Sequence, residues 1–463
     1  MRLRLIPIAL LASLIFSGAG CTMLAPQVNI LPITLEYWRA DDPPESMTEI
    51  IDAYQKIHPN VTINYHEFRG DEISQKLLDA FAEDKGPDIF SVPNVRLREF
   101  QNLLLPLPKE TTIPVRTVNS QKQIVNVKQK NTTITQREII RTFVETVPTE
   151  IILPTEMEQG KPPQDLIYGL PLSVDTLGLL YNKTLLKKAG LEKPPVSWNE
   201  LQYQVSKLTT FTDKGTIAQA GAPLGTVKNV RHSVELLVSM FSQYGARMSD
   251  SYGYPMFQQY PQGADTSLEM PSTLALEFYE AFATPDSGTY CWNESMPDSL
   301  DAFVTGQTAF YFGFPADIQT IRNRAPKLDF GVAPLPQYNG ERQYNSAVFP
   351  VEVVAKKTKS PNEAWDFVQF VAQAEHVKSF LAVTNRPTAL RALINEQSTN
   401  PDAGPFVNQL LTAKTWYKGK NYSKLTDIFT EMVAARPDPL KGIFYLNILN
   451  SAAEGVSETI NPI

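Results

Sequence analysis

The chain has 463 residues, 43% of them hydrophobic, and this length predicts two or three domains with sizeable hydrophobic cores. Its 42 basic and 49 acidic residues give a net charge of −7 without a long basic run, which argues against a nucleic-acid-binding protein. With Cys21 and Cys291 as its two cysteines, the chain has no basis for a disulfide framework.

The N-terminus has the pattern of a secretory signal. Arg2 and Arg4 precede an apolar run over 5–16, which ends in Gly18-Ala19-Gly20-Cys21. The run is shorter than the roughly 20 residues that span a bilayer. Its end resembles the bacterial lipobox, which implies a signal peptide over 1–21 and lipid attachment at Cys21. The lipobox prefers a branched apolar residue where Gly18 stands, and cleaved secretion without lipid is the alternative.

The chain then enters a Pro-containing tether, 22–32, and a pattern of alternating strands and helices. "ITLEYW" (Ile33–Trp38) and "VTINYH" (Val61–His66) are predicted strands, and "DIFSV" is a third. Between the first two, Ser46 and Glu49 have the spacing of a capping box at a helix start. Strands alternating with helices predict a parallel α/β sheet.

The segment 109–142 differs in composition from its surroundings. It is rich in Thr, Val, Gln, Asn and Lys, with few residues that fill a core. Alternation in "QIVNVKQ" and "TTITQ" predicts a β-hairpin that turns near Lys130-Asn131. We interpret the segment as a surface insertion, with a docking surface as the alternative.

Signals for chemistry are weak along the whole chain. The four histidines, including His232, are scattered and form no i, i+4 pair, so the sequence predicts no metal site. Cys291 has no base near it in the sequence and is predicted to be a small buried hydrophobe. Phosphate-binding loops and nucleophile elbows are absent from the sequence. We therefore expect no catalysis and no cofactor.

Four stretches, in order, resemble the family 1 extracellular solute-binding proteins of ABC importers. They are "YHEFRGDEISQKLLDAFAEDKGPDIF", "YGLPLSVDTLGLLYNKTLLKKAGLEKPPVSWNEL", "FVTGQTAFYFGFPADI" and "DFGVAPLPQYNGERQYNSAVFPVEVVAKKTKSPNEAWDFVQFV". The second is the most specific, and within it Ser197 and Glu200 also form a capping box.

The resemblance implies an α/β fold of two lobes, the type II periplasmic-binding-protein-like fold, with a ligand cleft between lobes joined by hinge strands. Lobe 1 would comprise 33–171 and 350–395, with the insertion 109–142, and lobe 2 would comprise 172–349 and 396–463. The chain would cross between lobes near Pro171-Leu172-Ser173 and Phe349-Pro350. Hinge closure would remove the ligand from water.

The resemblance also implies candidate ligand contacts at the cleft. Asp175 stands where sugar binders of the family place a carboxylate, and Arg96 matches an arginine beside the cleft. The remaining candidates are Trp38, Arg39 and Asp41 at the end of the first strand, Asn94 shortly before Arg96, the aromatic residues Phe312 and Phe314, and Phe349 at the second crossing.

These features together predict an extracytoplasmic lipoprotein that captures a small polar solute, a sugar or oligosaccharide, for an ABC permease. We expect a monomer held at the membrane by its lipid and without a nucleic-acid partner. Three alternatives stay open: a sensor that presents ligand to a membrane receptor, a binder of peptides or amino acids, and a secreted hydrolase.

Overall fold

A computed structural model describes residues 30–70, 72–118, 121–157, 161–338 and 343–460, and all structural statements concern these residues. None of the described helices is both long and apolar enough to cross a bilayer. The predicted signal peptide with Cys21, and most of the tether, lie outside the described residues.

The described chain mixes strands and helices throughout. The strands are β1 (Ile33–Ala40), β2 (Val61–Phe68), β3 (Ile89–Pro93), β4 (Glu110–Val118), β5 (Ile124–Thr132), β6 (Ile152–Thr155), β7 (Gln164–Ile167), β8 (Asp175–Thr176), β9 (Gly178–Asn182), β10 (Thr210–Phe211), β11 (Ile217–Gln219), β12 (Phe310–Gly313), β13 (Phe330–Pro334), β14 (Asn345–Val348), β15 (Pro350–Val354) and β16 (Ala413–Lys414). The helices are α1 (Glu45–Ile57), α2 (Ile73–Ala82), α3 (Leu97–Phe100), α4 (Gln136–Thr142), α5 (Thr146–Ile151), α6 (Lys183–Lys188), α7 (Trp198–Leu208), α8 (Ser233–Tyr244), α9 (Pro271–Ala281), α10 (Ser299–Val304), α11 (Pro315–Arg324), α12 (Pro361–Val371), α13 (Ala374–Thr384), α14 (Ile394–Gln397), α15 (Gly404–Val407), α16 (Tyr422–Ala434) and α17 (Tyr445–Ile460).

The first lobe is built on a four-stranded sheet in the order β15, β3, β1, β2. β1 runs parallel to β2 and β3, which confirms the predicted parallel strands, and β15 closes one edge in the antiparallel direction. Alternate residues of β1 point to opposite faces of the sheet. Leu35, Tyr37 and Arg39 therefore share the buried face.

The second lobe has its own sheet and its own hydrophobic core. β9 lies between β12 and β13 and is antiparallel to both. α7 begins where the sequence predicts, because the Ser197 side chain accepts a hydrogen bond from the backbone N–H of Glu200 at 3.2 Å. Trp198, in the first turn of α7, is fully buried and donates from its indole N–H to Gln243 of α8 at 2.6 Å.

Three short strands join the lobes. β14 pairs with β8 in the antiparallel direction and with β16 in the parallel direction. Asn94 fastens this region to the end of β3, since its Oδ1 accepts from the backbone N–H of Phe349 at 2.9 Å and its Nδ2 donates to Thr415 at 2.9 Å. Near these strands the chain passes from one core to the other, after Val174, before Ala347 and after Ala413.

The hydrophobic cores show where each part of the C-terminal region packs. Buried residues as far as Val174, and again from Ala347 to Ala413, form one core. Buried residues from Leu177 to Leu335, and again from Tyr417, form most of the second lobe. The stretch 396–413, which we expected in lobe 2, supplies Ala403, Val407, Leu410 and Ala413 to the first core.

The segment 109–142 contains a two-stranded ribbon of β4 and β5, in which Glu110 pairs with Thr132 and Val118 with Ile124. The predicted hairpin is present, but the predicted turn position is wrong, because Lys130-Asn131 lie inside β5 and the chain reverses between Val118 and Ile124. The end of the segment forms α4, whose Ile139 is fully buried in the first core.

Candidate functional site: the cleft between the lobes

A cleft of about 750 Å³ lies between the two lobes. Two open grooves of about 850 and 760 Å³ beside the β4–β5 ribbon are lined by first-lobe residues alone. The interlobe cleft differs in that both lobes and the hinge contribute to its walls. Its charged and aromatic lining residues are Asp41, Arg69, Arg96, Asp175, Arg231, His232, Phe314, Asp317, Phe349, Arg386 and Tyr422.

The floor of the cleft contains a buried ion pair between Asp175 and Arg386. Asp175 opens β8 and is 5% exposed, and Arg386, which follows α13, is 6% exposed. The Arg386 Nη1 donates to Asp175 Oδ2 at 2.6 Å, and its Nε lies 3.0 Å from Asp42 Oδ1. A buried charge requires such partners, because transfer from water to the protein interior is costly.

The network continues beneath the floor into the first lobe. Asp42 Oδ2 accepts from Arg39 Nε at 3.2 Å and from Nη2 at 2.6 Å. Arg39 Nη1 also donates to Glu352 of β15, and the hydroxyl of Tyr37 donates to the other oxygen of Glu352 at 2.6 Å. These contacts fix Asp42 and therefore the orientation of the arginine that holds Asp175.

One oxygen of Asp175 is left without a partner. Oδ1 is buried and accepts no hydrogen bond from the described residues. Burial raises the pKa of Asp175 to about 6, although the charge of Arg386 acts in the opposite direction. A buried acceptor without a donor is unfavourable, so this oxygen is suited to accept a hydrogen bond from a ligand in the cleft.

The second lobe contributes the start of α8 and the start of α11. His232 precedes α8, and its Nε2 hydrogen-bonds Asp317 Oδ2 at 3.1 Å. The same Asp317 oxygen accepts from the backbone N–H of Phe314 at 2.9 Å, which caps α11. Phe314 packs edge-on against His232, with ring centroids 4.6 Å apart. Burial lowers the pKa of His232, but the hydrogen bond and charge of Asp317 outweigh it and raise that pKa above its ordinary value.

Backbone strain is found at the edges of this cleft. Asp41 and His232 both line it and have φ of 57°, a left-handed conformation that non-glycine residues adopt at a cost of order 1–2 kcal/mol. Asn385, with φ of 53°, directly precedes Arg386. The surrounding fold holds these strained residues in place, as it does at many binding sites.

Comparison with known proteins gives the family. Residues 49–405 match a family model described as bacterial extracellular solute-binding protein. The chain belongs to this family. The family implies an extracytoplasmic location for this solute-binding protein, and the two-lobed arrangement is its type II fold.

Individual relatives have low sequence identity to this solute-binding protein, but the alignments cover more than half of its chain. A binding protein of Brucella abortus is 22% identical over 377 residues, which is 79% of this chain and 78% of the relative. The multiple sugar-binding protein of Streptococcus mutans is 25% identical over 57% of this chain and 61% of its own. The solute-binding protein of Thermotoga lettingae, solved with α-D-tagatose, superimposes with a TM-score of 0.65 at 17% identity, covering 92% of this chain and all of that one.

Five of the nine ligand contacts predicted from the sequence line the cleft. These are Asp41, Arg96, Asp175, Phe314 and Phe349. Arg96 reaches the cleft with its guanidinium already paired, since its Nε and Nη2 donate to Glu99 at 2.9 and 2.6 Å.

The other four candidates lie elsewhere. Arg39 is fully buried, because it shares the inward face of β1 with Leu35 and Tyr37. Trp38 packs against Phe68, with ring centroids 4.6 Å apart. Asn94 is used by the hinge, and Phe312 lies in the second core with its ring 6.0 Å from that of Trp198.

Several cleft residues were not found from the sequence. Arg386 follows a helix about 210 positions after its partner, in "TNRPTAL", where no local motif marks it. Arg69, Arg231 and Tyr422 likewise come from separate parts of the chain, and no local pattern marks His232 as a cleft residue. Among the described residues, no group of three or more His, Cys, Asp or Glu is arranged to hold a metal ion.

Proposed function

We infer that this solute-binding protein captures a polyhydroxylated solute, a sugar or oligosaccharide, in the interlobe cleft and delivers it to the permease of an ABC importer, without catalysis. The observation that carries this proposal is the buried carboxylate of Asp175, whose Oδ1 accepts no hydrogen bond from the residues that the structure describes. Asp41, Arg96, Phe314 and Phe349 are the further proposed ligand contacts.

Asp175 and Arg386 together suit a hydroxyl-bearing ligand. A sugar hydroxyl both donates and accepts, so it can donate to the carboxylate and accept from the adjacent guanidinium. An amino acid would require one acidic and one basic group for its termini, and Arg96, the arginine expected beside the cleft, is already paired with Glu99. The ring of Phe314 offers an apolar face for the C–H side of a sugar.

The names of the relatives support the same class of ligand. The Streptococcus mutans relative is a multiple sugar-binding protein, and the Thermotoga lettingae structure holds tagatose. Delivery to a permease follows from the role of such binding proteins in ABC import.

The lobes and their hinge provide the proposed mechanism of capture. We propose lobe 1 over 33–171 and 350–395 and lobe 2 over 172–349 and 414–463, with residues of 396–413 packed in the first core, and the protein acting as a monomer. Rotation about β8, β14 and β16 would bring Phe314 and His232 towards Asp175 and exclude water from the ligand. Water exclusion strengthens each hydrogen bond to the carboxylate.

Attachment to the membrane is a separate part of the proposal. We propose that residues 1–21 direct secretion and that Cys21 carries lipid, so that the tether 22–32 places the two lobes beside the permease. A single acyl chain binds membranes only reversibly, whereas the two or three chains of a bacterial lipoprotein give stable anchoring.

A ligand screen with a matched pair of variants tests the proposal. Sugars, oligosaccharides, amino acids and peptides are compared by thermal shift, where a ligand at 100 times its Kd adds about 2.7 kcal/mol of stability. Asp175→Asn is expected to weaken sugar binding by roughly 1.5–3 kcal/mol, the value of a charge-assisted hydrogen bond. Asp329→Asn, which changes a mainly exposed carboxylate of the second lobe, is the control. Binding of amino acids or peptides alone would contradict the carbohydrate assignment.

A further inference from the structure

The cleft has a charge balance unlike that of the whole chain. The chain carries a net charge of −7, yet the lining of the cleft contains four arginines against three aspartates, together with His232. The arginines stand on both sides of the opening. Arg69 and Arg96 belong to the first lobe, Arg231 precedes α8 in the second, and Arg386 lies at the floor. Arg96, Arg231 and Arg386 are each paired with a carboxylate, so their use by a ligand depends on the donors that each pair leaves free.

Arg231 has unused donor capacity among the described residues. Its Nε donates to both oxygens of Asp298, at 2.9 and 3.1 Å. Neither Nη nitrogen has a hydrogen-bond partner among the described residues. By contrast, Arg96 donates from all three of its nitrogens, to Glu99 and Ser74. The fork of Arg231 is therefore available to a carboxylate or a phosphate, the groups that match its geometry.

The helix beside Arg231 adds further donors. α8 is 12 residues long, and the backbone N–H groups of Ser233, Val234 and Glu235 have no hydrogen-bond partner among the described residues. Such a helix start favours negative charge through its free N–H groups and its dipole. His232, directly before it, lines the same cleft and is held beside Asp317.

A second observation in the same cleft points to the rest of the ligand. Asp175, 5% exposed, has a buried oxygen that accepts no bond from the described residues and requires a donor. An inorganic anion alone has no hydroxyl array to satisfy it, and a neutral sugar leaves the fork of Arg231 unused. A ligand that carries both hydroxyls and an anionic group satisfies both sites.

Resting on the proposed function, we propose that the solute is an acidic sugar or polyol, in which hydroxyls bind Asp175 and Arg386 and one carboxylate or phosphate ester binds Arg231 and the start of α8. The anionic group then lies against the second lobe while the hydroxyls lie at the hinge and the first lobe. Such a ligand bridges the lobes through charge as well as through hydrogen bonds.

Calorimetry with matched ligand pairs tests this inference. Each neutral sugar of the panel is titrated beside its uronate and its phosphate ester, and glycerol beside glycerol 3-phosphate, at low and high salt. We expect the anionic member to bind at least tenfold more tightly than its neutral parent, with the advantage reduced at high salt. The uronate and phosphate arms distinguish the two sources of negative charge.

Variants assign the effect to the start of α8. Arg231→Gln is expected to reduce the ratio of affinities, anionic member over neutral parent, by at least tenfold. Arg324→Gln, which changes a half-exposed second-lobe arginine paired with Asp301 and outside the cleft lining, is expected to preserve it. Equal or tighter binding of the neutral parent, or an unchanged preference in Arg231→Gln, overturns this inference and leaves the proposed function in place. If no member of the panel binds, both this inference and the proposed function are contradicted.

Discussion

Arg386 donates to Asp175 across 211 positions of sequence, at a distance of 2.6 Å between Nη1 and Oδ2. This contact joins the segment after α13 to the first hinge strand, and it leaves one carboxylate oxygen of Asp175 for the cleft. The hinge and the candidate ligand site therefore share a side chain. Ligand binding at Asp175 and movement of the hinge are expected to be coupled for this reason.

The affinity for a hydroxylated ligand should depend on pH through Asp175. Burial raises its pKa to about 6 in the free protein, where Arg386, Asp42 and Arg39 are the charged groups around it. A sugar hydroxyl donates more strongly to the ionised carboxylate than to the neutral carboxyl, so protonation of Asp175 should weaken binding. Affinity should be constant above pH 7 and fall below pH 6, by up to about tenfold per pH unit.

Calorimetry of wild type and Asp175→Asn between pH 4.5 and 8 measures this dependence. The neutral amide does not titrate, so the variant should bind weakly at all pH values without the acid loss. A wild-type affinity that stays constant down to pH 4.5 would show that the carboxylate of Asp175 does not accept from the ligand.

Arg39 should stabilise the fold and make no contact with ligand. It is fully buried and paired with Asp42 and Glu352. Arg39→Met leaves both carboxylates without this partner, and we expect a loss of about 3–5 kcal/mol in the free energy of unfolding, measured in urea. Arg324→Met, whose pair with Asp301 is half-exposed, should cost at most about 1 kcal/mol.

Arg39→Lys separates stability from binding if the methionine variant does not fold. Lysine keeps the charge but loses the planar fork, so the variant should be less stable than wild type while its affinity for sugar stays within about twofold. A tenfold loss of affinity in a folded Arg39→Lys protein would contradict this separation and show that the network through Asp42 and Arg386 affects the ligand site.

The outer half of the β4–β5 ribbon should be dispensable for ligand binding. Val118 and Ile124, where the chain reverses, are 63% and 66% exposed, whereas Ile113 near the base is buried. Replacing 116–126 by Asn-Gly would join Val115 to Val127, which pair directly across the ribbon. We expect unchanged affinity by calorimetry and a small loss in melting temperature.

A longer deletion provides the contrast. Removing the whole of 109–142 also removes Ile139, which is fully buried in the first core, and should destabilise the lobe by several kcal/mol. A tenfold loss of affinity in the short deletion would show that the ribbon contributes to the ligand site, against its position outside the cleft lining.

Cys21 should carry the lipid. We expect wild type to incorporate a labelled fatty acid and to fractionate with membranes, and Cys21→Ser to lose the label and remain as an unprocessed precursor or a shed protein. Cys291→Ser is the matched control, because Cys291 is fully buried in the second core and its Sγ donates to the carbonyl of Ala222. Label retained by Cys21→Ser would contradict the lipoprotein proposal.

The sequence by itself determined the features that are local along the chain. Residues that favour strands predicted β1 and β2, and Ser197 marked the start of α7 because a cap acts within one helical turn. A local pattern also gave one wrong prediction of a helix start. Ser46 and Glu49 have capping-box spacing, yet α1 begins at Glu45, after Pro44, which pre-sets the backbone for a helix.

The tertiary structure alone decided which residues form the cleft. Asp175 was found through a family resemblance, but Arg386 follows α13 while Arg231 and His232 precede α8, and only the packing of the two lobes brings these places together. Arg39 shows the converse, since its place at the end of the first strand suggested a ligand contact while the two-residue repeat of β1 turned its side chain into the buried face. Charge pairing and cleft position depend on contacts between distant parts of the chain, and no local pattern encodes them.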